Sequence, residues 1–126
     1  MSSDKSGLYY NAVDTVITDI KSEQKINKIY LTSSAINLDI FPNMISNTRV
    51  SVIKKTDLKK TYKELGPEDI FINVMPLSII KSQISIVLWV YQKVDNRIVI
   101  KDLVGYKVQY KYDCTTDTYI PVDFEH

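Results

Sequence analysis

From Asp69 to Phe124 the sequence keeps up an almost unbroken strand pattern, and one strong helix pattern stands near the N-terminus. That combination restricts the chain to an α+β domain, with a helix laid on a sheet built mainly from the second half. Ile70, Ile72 and Val74 alternate along one strand until Pro76, which marks an edge or a bend. Gln83 to Lys93 is a long strand, and Val94-Asp95-Asn96-Arg97 carries the residues of a hairpin turn. Ile98 to Asp113 forms a second long strand, interrupted at Gly105 by a bulge or bend. Thr115-Thr116-Asp117 turns the chain, and Thr118 to Phe124 closes the sheet.

The first half is less regular. Leu8, Tyr9, Ala12, Val13, Val16, Ile17 and Ile20 recur at spacings of three and four, which places them on one helical face. Ser6 or Asp4 is available as N-cap, and Lys21, Lys25 and Lys28 suit the negative end of the helix dipole. A short strand is expected at Lys28 to Thr32. A half-buried strand is expected at Ile36, Leu38 and Ile40, which alternate with Asn37 and Asp39. Val50, Val52 and Ile53 form a weak apolar patch. A second helix is expected from Asp57 to Leu65, capped by Thr56 and stopped by Gly66-Pro67.

The bulk properties exclude several function classes. The 126 residues suit a single domain, taken as 8–126 behind a disordered or tether segment at 1–7. A chain of this size buries roughly two thirds of its unfolded surface and folds without a metal or disulfide. With a net charge of +1 and only Arg49 and Arg97 as arginines, nothing marks a nucleic-acid surface. No apolar run approaches the ~20 residues of a membrane span. Cys114 is the one cysteine and the terminal His126 the one histidine, so no metal site and no cofactor is expected. The polar start Ser2-Ser3-Asp4-Lys5-Ser6-Gly7 fits a cytoplasmic chain. It fits equally an exported one, periplasmic or lipid-anchored, from which a signal sequence has been cut.

Alternation assigns faces on the two long strands. Ile84, Ile86, Leu88 and Val90 share one face of the first, while Val87, Trp89 and Tyr91 share the other. Apolar residues on both faces mean either a sheet covered on both sides or an outer face packed on a second copy. Val87, Trp89 and Tyr91 are therefore the candidate homodimer contact. On the second strand Ile98, Ile100, Val104, Tyr106, Val108, Tyr110 and Tyr112 are read onto one face, with Asp102 among them. Asp102 is the one carboxylate that falls on an apolar strand face, which makes it the candidate general base. Tyr106 and Tyr110 beside it are the candidate ligand-binding or oxyanion-donating groups. Set against this, Gly105 could shift the register and turn Asp102 outward, and strand tyrosines are ordinarily core residues.

The order helix, strand, helix, then antiparallel strands resembles the nuclear transport factor 2-like fold. The stretch Gly105-Tyr106-Lys107-Val108-Gln109-Tyr110-Lys111-Tyr112-Asp113-Cys114, followed by Tyr119-Ile120-Pro121-Val122, resembles the C-terminal end of small uncharacterised domains from Bacteroidetes-type bacteria. A single robust helix leaves a cystatin-like arrangement open. The resemblance implies one or two helices on a curved antiparallel sheet of about four to six strands. It also implies a pocket that serves isomerases and dehydratases in related proteins. The expected function is a non-enzymatic binding or interaction domain that self-associates and meets a protein or a small apolar ligand. The alternatives are a pocket enzyme using Asp102 and an exported lipoprotein interaction module.

Overall fold

The structure, a computed structural model, describes residues 5–33, 41–100 and 105–125. Helix α1 (Lys5–Glu23) is followed by β1 (Lys28–Thr32), β2 (Met44–Ile45) and β3 (Thr48–Val52). A 3-10 turn (Lys55–Asp57) leads into α2 (Leu58–Glu64). Then come β4 (Asp69–Val74), β5 (Ser78–Ile80), β6 (Gln83–Val94), β7 (Arg97–Ile100), β8 (Tyr106–Asp113) and β9 (Thr118–Glu125). The strand expected around Ile36 to Ile40 lies outside the described residues.

All nine strands join one sheet, in the order β2-β3-β1-β4-β6-β8-β9, with β5 and β7 also paired to β6. Two features correct the expected sheet. It is mixed, because β1 runs parallel to both β3 and β4. It also has more strands than the expected four to six. Periodicity reports the two sides of a strand but not the direction of its neighbour. The extra strands are the short β2 and β5 and also β3, expected only as an apolar patch, and the break at Gly105 divides one expected strand into β7 and β8.

The predicted apolar stripe of α1 is the core. Leu8, Tyr9, Ala12, Val13, Val16, Ile17 and Ile20 are all buried, facing Ile29, Leu31, Ile70, Ile72, Ile86, Leu88 and Val90 of the sheet. At roughly 1.5–3 kcal/mol for each fully buried aliphatic side chain, this stripe outweighs any intrinsic helix preference of the segment. Polar groups pin the helix along its length. The Tyr110 hydroxyl donates to Asn11 Oδ1 at 2.7 Å, and Lys21 Nζ donates to the Ser46 carbonyl at 2.6 Å. The Tyr9 hydroxyl accepts from the Leu77 N–H at 2.7 Å, satisfying a donor where the ladder breaks between β4 and β5.

Those breaks decide which residues share a side. From Val74 to Ser78 four residues pass while β6 moves three, from Leu88 to Ser85, so one residue is extra. From Ile100 to Tyr106 six pass while β6 again moves three, from Tyr91 to Leu88, so three are extra. An odd insertion reverses the alternation. Ile98 and Ile100 therefore pair with Lys93 and Tyr91 on the side away from α1, while Tyr106, Val108 and Tyr110 pair with Leu88, Ile86 and Ile84 toward it. The continuous face read from Ile98 to Tyr112 does not exist.

Helix α2 covers one end of the outer face. Its Tyr62 ring lies 5.1 Å from Phe71, which in turn meets Tyr91 edge-on at 6.1 Å, and Phe71 is buried. Burial, and secondarily the neighbouring Tyr91, raises the Tyr62 pKa.

Candidate functional site

Asp102 lies outside the described residues. The premise that placed it with the tyrosines has gone, since counting by twos does not carry across an odd insertion. Tyr106 and Tyr110 stand inside the core, at 2 % and 1 % exposure. Tyr106 packs against Phe124 with ring centroids 6.1 Å apart. The Tyr110 hydroxyl is held by α1, and burial raises its pKa well above the ordinary tyrosine value. Each ring contributes to packing under the helix, and neither lines a cleft among those described below.

Val87, Trp89 and Tyr91 do share the outer face, and each is partly exposed. Tyr91 belongs to the end under α2 through Phe71. A side chain at Gly105 would meet one edge of Trp89. Beyond them the outer face continues without a covering helix among the described residues. Across β5, β6 and β8 its rows run Ile80–Gln83–Lys111 and Ser78–Ser85–Gln109, and then Val87–Lys107. A cleft of about 330 Å³ opens here, lined by Ile80, Lys81, Gln83, Ser85, Lys107 and Gln109. Ser85 forms its floor, nearly buried, and its hydroxyl accepts from Gln109 Nε2 at 3.3 Å. Ile80 stands at its mouth, 64 % exposed.

Two other hollows are less suited to a ligand. One of about 330 Å³ lies at the β2–β3 edge beside Lys28, Asn43, Met44 and Arg49. There the Lys28 ammonium is already engaged, 4.7 Å from the centre of the Tyr30 ring. The other, about 280 Å³, surrounds Asn27, Gly66, Pro67, Glu68 and Asp69. Asp69 is committed to structure in it, accepting from the Gly66 N–H at 2.9 Å and from Asn27 Nδ2 at 3.5 Å.

The residues of the first cleft escaped sequence reasoning as a group. Alternation places Ser85 on the outer side of its strand, and Lys107 and Gln109 likewise on theirs. Their meeting depends on the three-residue insertion, which carries no motif. Among the described residues no group of three His, Cys, Asp or Glu could hold a metal ion, and no helix is long and apolar enough to cross a membrane. Cys114 is exposed in the β8–β9 turn. Comparison of the chain with protein-family models, with curated proteins and with solved structures gives no match.

The two ends of the main strand order are poor docking sites, while β5 and β7 each pair on one side only, with β6. Edge strand β9 carries Pro121, which removes a ladder donor, and a register shift opposite Gln109 and Tyr110. The other edge, β2, has only two residues.

Proposed function

We propose that this chain is a non-enzymatic interaction domain that works through the uncovered part of its outer sheet face, with Val87 and Trp89 as apolar anchors. One observation carries the reading: α2 closes only the Phe71–Tyr91 end of that face, so an aromatic and an aliphatic side chain, Trp89 and Val87, remain partly exposed on it. Partly exposed aromatic anchors with a polar surround are the usual make-up of a protein contact. The edges at β2 and β9 are blunted against strand addition, which favours this face over those two edges.

The purified chain tests the reading by itself, since two copies meet at this patch when no other partner is present. Sedimentation across a wide concentration range should show a dimer that Trp89→Lys converts to monomer, with the melting temperature of the variant close to the parent. A parent that stays monomeric at high concentration would sink the reading, as would a Trp89→Lys dimer of unchanged affinity.

A further inference from the structure

We infer that the free edge of β5 pairs with β5 of a second copy, antiparallel across a two-fold axis at Ile79, and so carries association past the face contact. The inference goes beyond that reading and uses a different surface. Strand β5 is bonded on one side only, to β6. In a two-residue hairpin the residues that close the loop exchange both hydrogen bonds, here Ile80 and Gln83. Ile79 and Ile84 are then the next, non-bonded pair, and the Ile79 N–H and C=O turn to the free side. That side is closed two residues earlier, where the Tyr9 hydroxyl accepts from the Leu77 N–H. At Ile79 the cover ends, and among the described residues no hydrogen bond engages its main chain there. Ile79 and Ile80, at 65 % and 64 %, are also the most exposed large apolar side chains among those residues. Strand β7, the other one paired on a single side, offers less, with Val99 and Ile100 at 36 % and 39 %.

An open main-chain edge takes an extended chain rather than a small ligand, because its partner must present its own N–H and C=O in strand geometry. The side chains favour this chain's own β5. Centred on Ile79, the antiparallel pairing sets Ile79 opposite its copy, Ser78 opposite Ile80, and Lys81 opposite Leu77. Ile79 lies on the helix side of the sheet with its ladder partner Ile84, so the two Ile79 side chains meet there. Ile80 lies on the outer side with Gln83, and the pairing brings the two Ile80 side chains to diagonal positions. The charges are compatible as well. Each Lys81 faces an apolar residue, and the two lysines stand four residues apart, about 13 Å along the strand. No charge and no proline falls between Leu77 and Ile80 to oppose the contact.

With two main-chain hydrogen bonds and four isoleucines, this contact is the weaker of the two and fills only in concentrated protein. Hydrogen exchange reads it directly. The Ile79 amide should exchange about tenfold more slowly in concentrated than in dilute protein, while the Ile80 amide, bonded to Gln83, is protected in both. Ile79→Pro removes a donor that faces away from β6, so the variant should melt like the parent. It should stop at the Trp89-dependent dimer where the concentrated parent scatters light as tetramers or larger species. Ile79→Lys sets like charges opposite each other and should do the same, which keeps the test open if the proline variant does not fold. Exchange at Ile79 that is independent of concentration overturns the inference, as does an Ile79→Lys variant that assembles like the parent. Equal slowing in dilute protein by a capped peptide of alternating Ile and Thr would show an edge open to any strand and overturn the second copy as its occupant. If Trp89→Lys leaves association unchanged while Ile79→Lys abolishes it, the face reading is lost and the edge contact stands. If the Trp89-dependent dimer forms without any effect at Ile79, the edge contact alone is lost.

Discussion

Gly105 lies against the edge of the Trp89 indole, where a Cβ in its place would come within 3.2 Å of Cε3 and 3.3 Å of Cζ3. Its φ is +77°, in the left-handed region that side chains disfavour. Position and conformation thus both require glycine at the point where the three-residue insertion ends and Tyr106 enters the core. Gly105→Ala should destabilise the fold by about 2 kcal/mol or more, combining backbone strain with a contact that the ring must relieve. Chemical denaturation should show a lower midpoint, and the emission of Trp89, the single tryptophan of the chain, should shift in the folded state. A midpoint equal to the parent would mean that neither constraint holds.

The inner face gives a sharper test of the fold. Val16 and Ile17 are fully buried on the sheet-facing side of α1. A carboxylate at either position has no partner in that apolar layer, so Val16→Asp or Ile17→Asp should cost several kcal/mol, on the order of a small domain's whole stability. Ile17→Val, which removes one methylene, should cost only about 1 kcal/mol. Thermal melts of the three variants separate a core helix from a loosely attached one, because equal melting of all three would place α1 outside the core.

How much of this was legible follows from what a local pattern records. The seven buried positions of α1 read directly from spacing, since a single helix face is a property of the helix alone. Strands β1 and β6 and the Asp95–Asn96 turn read equally well, the turn because Asp and Asn tolerate positive φ. The β5–β6 hairpin did not, because Lys81-Ser82 lacks the Asn, Asp or Gly that such a turn ordinarily carries, yet their φ values are +52° and +67°. Strand direction and neighbour order did not, because they are relations between distant segments. Most of the candidate site fell in this second class. Gly105 marked the break, but not its length, and it is the three-residue insertion that sets Gln109 against Ser85 and Lys107 level with Val87.

A pH-dependent effect resides in the β8–β9 hairpin. The Tyr112 hydroxyl donates to the Asp117 carboxylate, and this bond, with smaller contributions from burial and nearby negative groups, pushes the Tyr112 pKa up to about 12. The folded chain therefore holds this proton where the unfolded chain, at the ordinary value of 10.0, releases it. The contribution to stability is complete below the unfolded value and falls as pH rises through the folded one. Asp117→Asn keeps a residue that accepts the local φ of +57° but removes the charge. It should bring the Tyr112 titration, followed by ring-carbon NMR, back toward the ordinary value. It should also flatten the loss of melting temperature between about pH 10 and about pH 12. A Tyr112 titration identical in parent and variant would exclude the hydrogen bond as the cause.

The turn between β5 and β6 offers a stability test away from the core. Lys81 and Ser82 form the two-residue loop between these strands, and both take left-handed conformations with L side chains. Such a loop matches the twist of its strands, but it is ordinarily made by Asn-Gly or Gly-Gly. Each non-glycine residue held there is strained by roughly 1 kcal/mol. Ser82→Gly relieves the second position at some cost in unfolded-chain entropy, so a net gain of about 0.5 kcal/mol is expected. Lys81→Asn combined with Ser82→Gly should be more stable still, because Asn tolerates positive φ better than Lys. Thermal melts of the parent and the two variants check this order. A double variant no more stable than the parent would show that the turn is not strained.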